Sequence, residues 1–189
     1  SLMKLISCTI ENFGKLNNVT YDFSGECNTI CEDNGWGKST LASFIRVMFY
    51  GFKNESKKKL VDKERNRLMP WQKGVYGGEI VFETGGVVYS LRRTFGKKQV
   101  DDEFLLVRKD TNVECDDFSC DIGEELFKID AQSFERTVFI GQSDCVTATT
   151  DSINAKIGNL ADNTDDINNF ETAVGRLTAV LNNITSTRS

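Results

Sequence analysis

The chain has 189 residues, 39% of them hydrophobic and 27% charged, with a net charge of −5 and no histidine. That balance describes a folded domain able to build a core, rather than a disordered chain. It excludes metal held by histidine, and no apolar run approaches the roughly 18 residues of a membrane span.

The six cysteines (8, 27, 31, 115, 120 and 145) form no C-x-x-C pair. They read as free thiols in a reducing cytosol, so the expected location is cytoplasmic. No signal-peptide pattern opens the chain, and Ser1-Leu2 before Met3 reads as a cloning scar. Charge is uneven. Between Lys53 and Lys73 stand eight basic residues (Lys53, Lys57, Lys58, Lys59, Lys63, Arg65, Arg67, Lys73) against three acidic ones, +5 locally and −10 elsewhere. Such a segment is either a patch that attracts phosphates or a solvated loop.

The first element is a strand with apolar residues at Leu5, Cys8 and Ile10. A second strand follows, with Val19, Tyr21 and Phe23 on one face, then a Ser24-Gly25 turn and the apolar run 28–31. Next comes the glycine-rich stretch "CEDNGWGKSTL", and then Leu41, Phe44, Ile45, Met48 and Phe49 at helical spacing, with Gly51 placed to stop the helix. The segment 53–73 holds the only proline and predicts a loop or marginal helix. "YGGEIVFETGGVVYSLRRTF" predicts a hairpin turning at Gly85-Gly86, and "DEFLLVRKDTNVE" a further strand pair turning at 110–112. Two short helices and a strand over 137–140 lead into Gly141-Gln142. In the tail, Ile167, Phe170, Val174, Leu177, Leu181 and Ile184 recur at spacings 3-4-3-4-3. That stripe predicts either the start of a coiled coil or an amphipathic helix packed on the domain.

The glycine stretch has the letters of a phosphate-binding loop, G-x-x-x-x-G-K-[ST], with Glu32 in place of the first glycine. Gly35 and Gly37 permit a tight turn and close backbone approach. Backbone N–H groups of Asn34 to Thr40, Trp36 included, would wrap the β-phosphate at a helix N-terminus. Lys38 supplies charge to the phosphates, and the Ser39 hydroxyl can ligate Mg²⁺. ATP with Mg²⁺ is therefore the expected ligand. Glu32 is expected to point away from the phosphates.

Taken in order, "MKLISCTIENFGKL", the glycine stretch, "GGEIVFETGGVVYSLRRTF" and "FERTVFIGQSD" resemble the N-terminal head segment of SbcC/RecF/SMC-type ATPases of DNA repair and chromosome maintenance. The resemblance implies an ABC-class P-loop head of α/β type, with an antiparallel sheet portion and a C-terminal helix starting a coiled-coil arm. It implies that Gln142 is the Q-loop residue serving Mg²⁺ and the attacking water. It also implies ATP-driven pairing with a second head, and DNA and a nuclease subunit as further partners. Relatives often carry an arginine where this chain has Gly14-Lys15.

ATP hydrolysis further needs a carboxylate for Mg²⁺ and a base for water. No apolar strand here ends in Asp-Glu, and no L-S-G-G-Q-like signature is present. The expected organisation is therefore a scar at 1–2, the N-terminal lobe of the head over 3–160 and the start of the arm over 161–189. The C-terminal half of the head would supply the missing motifs, and the lobe alone is expected to be inactive. Two alternatives stay open: a non-catalytic nucleotide-sensing interaction module, and a small self-contained P-loop enzyme resembling a kinase.

Overall fold

In the computed structural model the described residues are 3–22, 36–52, 63–71 and 73–134, of which 36–39 are described by their backbone alone. Strand β1 (Lys4–Phe13) turns through Gly14-Lys15 into β2 (Leu16–Asp22). Helix α1 (Trp36–Tyr50) and the single-turn α2 (Glu64–Arg67) follow. Then come β3 (Gly77–Thr84), β4 (Val87–Thr94), β5 (Glu103–Arg108), β6 (Val113–Glu114) and α3 (Ile122–Phe127). The strands form one six-stranded sheet in the order β2-β1-β3-β4-β5-β6, and every pairing is antiparallel.

The β3–β4 hairpin turns where the dipeptide predicts. Gly85 and Gly86 both take positive φ, 59° and 76°, the backbone that a two-residue primed turn demands. In β1 the apolar positions Leu5 and Cys8 are three apart, which a regular strand would place on opposite faces. Both are buried because the register against β3 slips between Leu5 and Ser7, and again between Ile10 and Asn12. Each slip puts two residues of β1 opposite one of β3, a bulge that re-aims the side chains.

One sheet face carries Cys8, Ile10, Ile80, Phe82, Leu91 and Leu106, aligned across four strands and buried against α1. The sequence shows one apolar stripe on α1, yet Arg46, Val47 and Tyr50 outside that stripe are buried as well. From Leu41 to Tyr50 the helix is enclosed, with only Ser43 partly exposed. Phe13 and Phe82 of the sheet meet Phe44 and Phe49 edge-on. On another side Phe127 of α3 and Phe134 cover Phe49 and Tyr50. Gly78 allows this approach, since a Cβ there would lie 2.1 Å from the Thr9 carbonyl oxygen and 3.0 Å from the Phe44 ring.

The strand expected over 137–140, Gln142 and the heptad stripe from Ile167 to Ile184 lie outside the described residues. So do the run 28–31 and the start of the glycine stretch, including Glu32, Asn34 and Gly35.

Candidate functional site

Helix α1 begins at Trp36, so Gly37, Lys38 and Ser39 occupy its first turn, with Thr40 just after. Helix N-termini present unsatisfied backbone N–H groups and the positive end of the dipole. No acidic residue stands in that first turn to offset this field. The arrangement therefore fits an anionic ligand such as a phosphate. Thr40 is half-buried and stands next to Gly14 of the β1–β2 turn, while the side chains of Trp36, Lys38 and Ser39 are not described.

That turn explains one departure from the resemblance. Gly14 has φ +57°, and a Cβ added to it would stand 3.2 Å from Leu68 Cδ2 and 3.3 Å from Thr40 Cγ2. Its N–H donates to the Leu68 carbonyl at 2.7 Å. An arginine at this position would be strained by the backbone and crowded by both neighbours. Glycine is what lets the turn rest between the first turn of α1 and the end of α2.

The opposite end of α1 is held by a residue that the sequence reading missed. Gly51, at φ +71°, donates its N–H to Val47 O and ends the helix. Arg93 of β4 is buried beneath it. Its Nε donates to Met48 O at 2.6 Å, and Nη2 donates to Phe49 O at 3.2 Å and Cys120 O at 2.6 Å. Its guanidinium lies 4.8 Å from the Phe104 ring centre. Burial pushes Arg93 down to about 10, still charged at neutral pH. A cation on the last carbonyls of a helix answers both the unpaired acceptors and the negative dipole end. The available signal was the Arg92-Arg93 pair: strand alternation must turn one of the two inward.

Within the described part of the basic segment, one residue departs from the expected surface charge. Arg65 is 1% exposed, and its guanidinium grips Asp102 with two bonds of 2.5 and 2.7 Å while donating to Gly96 O. It also lies over the Phe52 ring at 4.9 Å. Glu64 pairs with Arg46 of α1 and with Arg67. One cation counted toward a surface patch, Arg65, is thus buried in an ion pair that fastens α2 to the 96–102 loop, while Glu64 fastens α2 to α1 and Arg67 stays exposed.

A glycine-lysine-serine turn opening a helix that packs on an antiparallel sheet is consistent with a P-loop NTPase. Residues 7–186 match the AAA domain family, and the chain belongs to it. That AAA-type ATPase domain family is found in SMC/SbcC/RecF-type ATPases. An uncharacterized protein, YhaN of Bacillus subtilis (strain 168), is 35% identical over 82 residues, which is 43% of this chain and 8% of that protein. The chain thus matches under a tenth of its curated relative's length. Among the described residues no helix is long and apolar enough to cross a membrane.

Proposed function

We propose that the chain is the ATP-binding N-terminal lobe of an SMC/SbcC-like ATPase head, acting in DNA repair or chromosome maintenance by ATP-driven pairing of heads. The observation that carries its ATP-binding part is the Gly-Lys-Ser sequence in the first turn of α1, a turn that holds no acidic residue. Lys38 would hold the phosphates, and Ser39 would ligate Mg²⁺ together with Gln142, which would also position the attacking water. Mg²⁺ would supply charge neutralisation at the transferred phosphoryl group. Backbone N–H groups from Asn34 to Thr40 would cradle the β-phosphate, in keeping with the family.

Absence of an Asp-Glu strand end and of a signature motif from the sequence favours a lobe completed by another segment. The stripe from Ile167 to Ile184 would begin a coiled-coil arm joining the two, and DNA and a nuclease would be partners of the whole. The test is to co-express this lobe with the C-terminal head segment from its own gene and measure ATP turnover. The expected result is turnover only when both are present, with a higher unfolding temperature for this lobe. Equal turnover by the lobe alone would reject the completed-head reading and favour a self-contained enzyme.

A further inference from the structure

Trp71, in the loop between α2 and β3, is fully exposed at 101% of its reference area. Large aromatic residues are normally mostly buried, because their surface contributes strongly to folding. The loop is tied down at both ends. Leu68 O accepts from the Gly14 N–H at 2.7 Å, and Val75 O accepts from Asn12 Nδ2 at 2.9 Å. Asn12 is itself oriented by Asn17. Leu68 and Met69 pack against the core. An anchored loop therefore presents an indole to solvent, with exposed cations near it in the sequence, one of them (Arg67) also paired with Glu64. Arg67 and Lys73 are exposed on either side, and Lys15 is exposed in the β1–β2 turn. An aromatic face among cations suits a ligand that is both π-faced and anionic.

Position selects among such ligands. Leu68 Cδ2 and Thr40 Cγ2 would lie 3.2 and 3.3 Å from a Cβ added to Gly14, so both border that glycine and the loop starts close to Thr40, just after the first turn of α1. Trp71 follows three residues later, within about 10 Å of chain reach. That is the scale on which a nucleotide separates its base from its phosphates. We propose that Trp71 is the base-stacking residue of this site, its indole lying against the heterocyclic base of a nucleoside triphosphate whose phosphates meet α1. The inference rests on the nucleotide reading given above and adds to it the group that distinguishes a nucleotide from bare phosphate.

Calorimetry on this chain, with Mg²⁺ present, separates the two. ATP and inorganic tripolyphosphate are titrated into the wild type, Trp71→Ala and Trp71→Phe, and a dT oligonucleotide is titrated into the same three proteins. The wild type is expected to prefer ATP over tripolyphosphate. Trp71→Ala should lose about tenfold in ATP affinity, keep its tripolyphosphate affinity, and be largely rescued by Trp71→Phe. Unchanged ATP binding in Trp71→Ala overturns the proposal while leaving the phosphate site standing. Loss of tripolyphosphate binding as well would show that Trp71 acts through the fold, and would also overturn it. Binding of dT that disappears in Trp71→Ala while ATP binding persists would assign the indole to nucleic acid instead. Failure of the wild type to bind either phosphate ligand would remove the nucleotide reading, and this inference with it.

Discussion

Two buried side chains, Arg65 and Cys8, shape this domain more than their letters suggest. Arg65 meets Asp102 through a two-pronged contact while lying over Phe52. Removing one partner of a buried pair leaves an uncompensated charge, which costs more than the intact pair gains. Asp102→Ala is expected to lower unfolding free energy by about 3 kcal/mol, near the low end for such pairs, because Asp102 keeps 21% of its side chain in water. Urea denaturation reads this directly, and a loss near zero would mean that the contact is not held in solution. Cys8 offers a test by pH. Burial pushes its thiol up from 9.0 to about 12, partly opposed by a hydrogen bond with the Tyr21 backbone. The folded state therefore retains a proton that the unfolded chain gives up above pH 9. This contribution is complete below pH 9 and is lost as pH rises toward 12, with a slope of at most about 1.4 kcal/mol per unit. Between pH 8 and 10 the wild type should lose stability more steeply than Cys8→Ala; parallel curves would contradict the burial of this thiol.

At the scale of elements, the close contact of α1 with the sheet depends on Gly78. Gly78→Ala would push a methyl group into the Thr9 carbonyl and the Phe44 ring. Overpacking of this kind costs about 1–3 kcal/mol, and a backbone obstacle yields less readily than a side chain, so the upper end is expected from a urea titration. An unaltered midpoint would show that β1 and β3 are farther apart than described. Elements governed by local chemistry were readable from the sequence. Gly85-Gly86 declares its hairpin because few other residues adopt two consecutive positive φ angles, and Gly51 marks the end of α1 for the same reason. The bulges in β1 were not readable, since a period of two has no means of announcing an extra residue. Nor were Arg65 and Arg93. Each looks like a surface charge, and only distant partners (Asp102 for one, the carbonyls of Met48, Phe49 and Cys120 for the other) make burial tolerable. In the candidate site, the first turn of α1 followed from G-K-S, while the role of Gly14 emerged only from contacts with Thr40 and Leu68.

For the whole molecule, the fold converges on one helix. The sheet supports α1 from below, and α3 with Phe134 covers another side. Glu64 pairs with Arg46 at mid-length, and Arg93 closes the C-terminal end. Burial this complete leaves the first turn of α1, beside the Gly14 turn, as the end carrying glycine, lysine and serine for a ligand. The account thus stands on the claim that this turn binds the phosphates of ATP, with Lys38 as a principal contact. Titrating Mg²⁺–ATP calorimetrically into the wild type and Lys38→Ala tests it most directly, with urea midpoints confirming that both are equally folded. A charge-assisted hydrogen bond contributes about 1.5–3 kcal/mol, so affinity is predicted to fall about tenfold or more in the variant. Equal ATP affinity in the two proteins would contradict the claim.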